Sequence, residues 1–273
     1  MFKKRKNLLI YLFFCIFLQT AFLFSSFNLY AETAKESQNA RARLSPKSSV
    51  QSSQAVFYTP LFLEGGAELT VVSQGKWNSL VSSVTTELKS AHRRLLALFN
   101  AKPSLKVTMH ILDEELFYSL TGAPRWTNAL YLNKKILLPV SSTSSDKNYK
   151  GLLRTVRHEY LHAVVDAISS GRCPGWLDEG LAQWFEHSQN PILEPALFHW
   201  LRYNDPIPFK ELESGFTSFK GEKVPVSYAQ SLWAVKYLLK KYGSTKIGYF
   251  LKLLGKGYPE ERAFKRSFNI TLA

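Results

Sequence analysis

Apolar residues recur at Leu153, Val156, Tyr160, Leu161, Val164, Val165 and Ile168. Steps of three and four put them on one stripe, which predicts a helix over residues 149–168 packed on a core. Ser169-Ser170-Gly171 interrupts the stripe, and Gly171 is placed to end the helix. After the turn at Pro174-Gly175 a second helix is expected over 176–186. Upstream the pattern changes. Residues 56–62 and 68–73 look extended, with Gly65-Gly66 between them, a hairpin signature. Leu80, Val81, Val84, Leu88, Leu95, Leu96 and Phe99 mark a helix over 77–99, stopped by Asn100 and Pro103. Residues 105–112, 129–132 and 135–140 read as strands, the last two parted by Asn133-Lys134. A polar loop, 141–146, leads into the 149–168 helix. Beyond Phe185 the chain reads as helices at about 193–203, 208–214, 228–242, 244–255 and 259–267. Strands first and helices later predict an α+β fold, a small mixed or antiparallel sheet followed by a mainly helical part. No internal repeat is visible.

The N-terminus has a different pattern. Lys3-Lys4-Arg5-Lys6 precedes an apolar run over residues 8–24, and Leu29-Tyr30-Ala31 follows. A basic start, an apolar core and a small residue at a cleavage point read as a secretory signal over 1–31, although Leu29 is a poor residue at its position. The same segment also fits an uncleaved membrane anchor with the body outside the cytoplasm. Residues 32–55 are rich in Ser, Gln and Ala without apolar periodicity, the composition of a flexible linker. The folded domain is then 56–273, long enough to bury a substantial core. The expected location is extracytoplasmic: periplasmic, secreted or anchored facing outward.

His158-Glu159-Tyr160-Leu161-His162 carries the chemistry. Residues i and i+4 share a helix face, so both imidazoles can reach one metal ion. Glu159 is offset around the helix, beside the ion rather than on it. Two histidines to hold zinc and a carboxylate to take a proton from its water suit metal-assisted hydrolysis. A third protein ligand is needed, and Asp166, Asp178, Glu179 and Glu186 follow downstream.

The motif, followed by Trp176-Leu177-Asp178-Glu179-Gly180-Leu181-Ala182, resembles the gluzincin branch of the zincin metallopeptidases. It is most similar to the small bacterial peptidase MA-like group, with thermolysin and the large zinc aminopeptidases as distant relatives. The resemblance implies a zincin-like fold, a Zn²⁺ cofactor and a peptide or protein substrate. It implies Glu179 as third ligand beside His158 and His162, across a spacer of sixteen residues. It also implies Glu159 as the base. The stretch 127–132 looks like the substrate-binding edge strand of these enzymes, with Asn128 and Ala129 pairing to an extended peptide. Tyr228, placed just before a helix, corresponds to a tyrosine that stabilises the oxyanion; Tyr160, Tyr203 and His199 are further donors to consider. Gln183, one turn after Glu179, is a candidate to orient a ligand histidine. There is no G-x-M-E-N motif to hold a substrate α-amine, which favours an endopeptidase over an aminopeptidase.

Charge and cysteines change the picture little. The net charge is +14, and Lys3, Lys4, Arg5 and Lys6 leave +10 beyond residue 31. Such a surface can contact anionic envelope groups. The basic pairs Arg93-Arg94, Lys134-Lys135 and Lys240-Lys241 are scattered, no nucleic-acid motif is present, and a membrane enters only through an uncleaved N-terminal segment. Cys15 lies in the N-terminal apolar run, so Cys173 stands alone in the folded part. Two rival readings stand beside the peptidase one: a basic surface-adhesion module whose H-E-x-x-H is accidental, and a non-catalytic zinc scaffold for cell-envelope or protein partners, its metal closed by Cys173 or His187. Glu159 argues against the scaffold, since a structural site needs no base.

Overall fold

A computed structural model of the chain describes residues 55–125, 127–141, 146–187, 190–216 and 219–272. The expected N-terminal segment, all but the last residue of the linker, and most of the 141–146 loop lie outside the described residues.

The N-terminal half builds a five-stranded mixed sheet in the order β1-β2-β3-β5-β4. Strands β1 (Val56–Leu63) and β2 (Ala67–Gln74) form the predicted hairpin, running antiparallel from Val56 opposite Gln74 to Leu63 opposite Ala67. Helix α1 (Asn78–Phe99) carries the chain across to β3 (Lys106–Asp113), which lies parallel to β2. It ends as expected at Asn100, whose φ of 45° is left-handed. Helix α2 (Glu114–Thr121) then precedes β4 (Leu130–Leu132) and β5 (Lys135–Val140). These two pair antiparallel through the two-residue turn at Asn133 and Lys134, both at positive φ, while β5 lies parallel to β3. Strand β4 is therefore an edge.

Period-two alternation assigns the faces. Met109 and Ile111 of β3 and Ile136 and Leu138 of β5 join the main core. Leu112 and Leu137 face the other way and pack with Phe117 of α2 in a small second cluster. The main core takes the inner stripe of α1 (Val81, Val84, Leu88, Leu95) and that of α3 (Asp146–Ser169), including Val156, Leu161, Val164 and Val165.

The C-terminal half is helical: α4 (Gly175–Glu186), α5 (Leu193–Trp200), α6 (Lys223–Tyr242), α7 (Ser244–Gly255) and α8 (Glu260–Phe268). Three expectations need correction. Helix α2 was not foreseen; it spans only two turns, stopped by left-handed Gly122. The helix expected over 208–214 is a single 3₁₀ turn, Phe209–Leu212. Helix α6 begins at Lys223, well before residue 228, because Pro225 sits in its first turn, where a missing N–H breaks no helical bond. Tyr228 is therefore inside a helix rather than in front of one. Among the described residues no helix is long and apolar enough to cross a membrane.

Candidate metal and active site

Helix α3 carries His158 and His162 one turn apart, with ring centroids 4.9 Å from each other at 76°. The helix stops where Ser170 and Gly171 turn left-handed, and Gly171 N–H donates to the Asp166 carbonyl at 3.0 Å. The chain then doubles back as α4. Its start is fixed by Gly175, whose N–H donates to the Glu213 carbonyl at 2.8 Å. A Cβ on Gly175 would meet Gly215 N at 2.5 Å, so only glycine allows this approach. The turn carries Asp178 and Glu179 to the two histidines. Glu179 Oε2 lies 3.7 Å from His158 Nε2. Ligand atoms of His158, His162 and Glu179 all fall within 4.8 Å of one another, and among the described residues this is the one such group of His, Cys, Asp or Glu.

These residues fit a zinc ion. Tetrahedral zinc, with bonds of about 2.0–2.2 Å, spaces its ligand atoms roughly 3.3 Å apart, so the 3.7 Å between His158 Nε2 and Glu179 Oε2 needs only a small closure. Glu179 Oε2 is buried without a hydrogen-bond partner, an expensive state for a carboxylate unless a cation faces it. Each imidazole also has a carboxylate behind it. His158 Nδ1 lies 3.1 Å from Glu186 Oε2 in a hydrogen bond. His162 Nδ1 lies 3.0 Å from Asp178 Oδ2, an ion-pair distance off the line of a hydrogen bond. Both rings thus keep Nε2 for a metal, with an outer carboxylate to orient them. Asp178 and Glu186, candidates for the third ligand, stand behind the histidines.

The electrostatics follow from burial and these pairs. Burial disfavours a proton on His162, but Asp178 and then Glu179 outweigh it and hold its pKa at about 9. His158 behaves alike: burial opposes the proton, while Glu179 and Glu186 drive its pKa well above the ordinary value. Burial would raise the Glu179 carboxyl, yet the two imidazoles hold it below the usual range. Glu159 goes the other way, raised by burial against the pull of His158 and His162. The backbone of Tyr131, on β4, is directed toward Glu159 and offsets a little of that rise. The Tyr131 phenol donates to Asp166 Oδ2 at 2.8 Å. The edge strand therefore lies against the motif helix.

Tyr228 comes from α6 and packs edge-on against Phe216, with centroids 4.9 Å apart. Burial first, then the charges of Glu179 and Glu159, push its phenol pKa up, so the hydroxyl keeps its proton and can donate. Asn128 and Ala129 sit just before β4, Asn128 exposed and Ala129 buried; the strand begins at Leu130 rather than at the expected residue 129. Other candidates are placed elsewhere. Tyr160 is in the core, its hydroxyl 2.7 Å from His92 Nδ1. Tyr203 and His199 are exposed and contact each other. His187 caps α4 at a φ of 58° and meets Arg94 Nη2 at 2.6 Å. Burial, then Asp178, Glu260 and Asp166, keep the Cys173 thiol protonated. Neither His187 nor Cys173 joins the three-residue group. Gln183 is buried on α4, but the contact to a ligand histidine is made by Glu186 one turn further on. Sequence reading missed Tyr131, whose only signal was its place in the 127–132 stretch.

No curated protein matches the chain. Among solved structures, an aminopeptidase N family protein from Idiomarina loihiensis is 16% identical with a TM-score of 0.47, over 76% of this chain and 42% of that one. Legionella pneumophila aminopeptidase A, in complex with aspartic acid, is 16% identical with a TM-score of 0.46, over 78% of this chain and 26% of that one. This chain matches less than half the length of either. The family model is different in reach: residues 90–273, from the middle of α1 to the C-terminus, match the Peptidase MA superfamily. That stretch holds the His158, His162 and Glu179 cluster, Glu159 and Tyr228, and the chain belongs to the Peptidase MA superfamily.

Proposed function

We propose that this chain is a zinc-dependent peptidase that cuts within peptide chains and works outside the cytoplasm. The observation that supports it best is the convergence of His158, His162 and Glu179, with Glu159 beside them. The three would hold Zn²⁺ and leave one position open, the arrangement of catalytic rather than structural zinc. Bound there, zinc would acidify a water and polarise the scissile carbonyl.

The remaining steps belong to the chain's own groups. Glu159 accepts the proton of the attacking water and delivers it to the departing amine. Glu186 and Asp178 fix the ring orientations of His158 and His162. Tyr228 donates to the oxygen on which charge develops. An extended peptide lies along the outer edge at Asn128, Ala129 and β4, adding a strand to the sheet. The basic surface would keep the enzyme near anionic envelope groups.

The test is turnover of a mixed peptide library by wild type, with and without a zinc chelator, and by Glu159→Gln. Gln keeps the shape and cannot take the proton. Hydrolysis should stop with chelator and fall about 10²–10⁴-fold in the variant, with zinc retained. Full activity in Glu159→Gln would remove the mechanism.

A further inference from the structure

Tyr131 is held at both ends by one helix. Its phenol donates to Asp166 Oδ2 at 2.8 Å, and its backbone amide is directed toward Glu159. Glu159 and Asp166 lie two turns apart on the same face of α3. Strand β4 has three residues and, among the described residues, pairs with β5 alone, with Tyr131 opposite Ile136. In an antiparallel ladder successive residues turn their backbone groups alternately toward the partner and away from it. Tyr131 is one step from Leu132 and Lys135, the pair that flanks the turn, so its backbone faces the free side, toward Glu159. A ladder this short does not fix a strand by itself. The Asp166 bond supplies a second anchor, to a group embedded in the helix that carries the histidines.

We infer that Tyr131 is a positioning residue: its phenol, bonded to Asp166, sets the gap between β4 and α3, and so holds both the Glu159 carboxylate and the open strand edge in register for an extended, unstructured peptide. The inference rests on the function proposed above. The same residue faces the base and sits on the docking edge, so loosening it affects substrates that use the edge more than substrates too short to reach along it. Because the acceptor is a carboxylate, the bond is charge-assisted and stronger than a neutral one.

The experiment uses the full chain with Tyr131→Phe, Asp166→Ala, the double variant and Asp166→Asn. Phe keeps the ring and loses the bond; Asn keeps an acceptor oxygen. One readout is hydrogen exchange at the β4 amides, which needs no turnover. Tyr131→Phe and Asp166→Ala should each speed exchange, the double variant should exchange no faster than either, and Asp166→Asn, which keeps an acceptor but loses the charge, should fall between wild type and Asp166→Ala. The second readout compares random dodecapeptides with blocked dipeptide amides. KM for the dodecapeptides should rise about tenfold in Tyr131→Phe while that for the dipeptides holds, as expected for one lost hydrogen bond to a charged group. Unchanged exchange at β4, or additive effects in the double variant, would overturn the clamp. A fall in melting temperature with equal KM for both substrates would reduce Tyr131 to a packing residue and overturn the inference equally. Failure of the proposed function reads differently: Glu159→Gln would remain active while the exchange data still report on the clamp.

Discussion

A Cβ built on Gly180 would lie 2.4 Å from the carbonyl oxygen of Ser231, so α4 and α6 touch backbone to backbone beside Glu179. Val235 Cγ2 closes the same spot at 2.7 Å. The contact has a functional reach. Tyr228 is one turn before Ser231, and the closeness of the two helices brings its phenol within the electrostatic reach of Glu179 and Glu159.

Gly180→Ala tests that relationship. In an open helix the change would stabilise by about 0.5–1 kcal/mol, because glycine is the poorer helix former. Here a carbonyl oxygen is in the way and cannot rotate aside. Overpacking typically costs about 1–3 kcal/mol, so the clash wins. The expected result is a lower melting temperature together with lower turnover, since α6 must move away and take Tyr228 with it. A variant more stable than wild type would show that the helices separate freely.

Glu186→Gln and Asp178→Asn should weaken zinc binding without abolishing it. Neither residue is placed to hold the ion; each sits behind a histidine, at 3.1 Å and 3.0 Å. Loss of such an outer carboxylate typically lowers metal affinity by about 10–100-fold. Glu179→Ala removes a ligand and should lose most of the zinc at any practical concentration. Competition with a chromogenic chelator separates the two cases. Affinities in the reverse order would make Asp178 or Glu186 the true third ligand.

Some of this was legible from the chain and some was not, for physical reasons. The stripe from Leu153 to Ile168 and the i, i+4 histidines are local patterns, so α3 and its chemistry could be read directly. The hairpin at Gly65-Gly66 and the stop at Asn100 are equally local. Helix α2 has too few turns for a period to show. Pro225 concealed the true start of α6, since proline breaks a helix in its middle and is accepted in its first turn. The outer carboxylates were out of reach because their role depends on how α3 and α4 face each other. Gln183 and Glu186 are both plausible from spacing; the crossing of the helices selects Glu186. Tyr131 and Asp166 stand 35 residues apart and meet only through the fold.

Stability and metal binding should respond to pH in opposite senses. Without metal, His162 titrates at about 9 in the folded chain against 6.5 for an ordinary imidazole. A raised folded pKa means the proton stabilises the fold. That contribution is complete below about pH 6.5 and is lost as pH climbs toward 9. His158 is shifted the same way. Melting temperature in chelator should therefore fall across this interval. Zinc needs unprotonated rings and displaces their protons, so its stabilising effect at fixed free concentration should grow over the same range. Thermal melts with chelator and with buffered zinc at several pH values measure both. A chelated curve that rises with pH would contradict the assignment.

Tyr228→Phe should lower kcat by about 10²–10³-fold, the usual loss on removing one oxyanion donor, with zinc content and KM nearly unchanged. The phenol is kept protonated by burial and by Glu179 and Glu159, so near neutral pH it retains the proton it would donate. A donor aimed where charge develops acts in the transition state, and its loss appears in turnover rather than in binding. Packing alone predicts something else. Phenylalanine preserves the edge-on contact with Phe216 at 4.9 Å, so a ring that merely fills space would leave activity intact. A kcat within about threefold of wild type, some 0.7 kcal/mol in barrier, would assign Tyr228 to the core. The fallback donors would then be poor. Tyr160 is committed to His92, while Tyr203 and His199 face solvent. An inactive Tyr228→Phe with normal zinc, beside a Gly180→Ala impaired in the same step, would tie the close helix crossing to the chemistry.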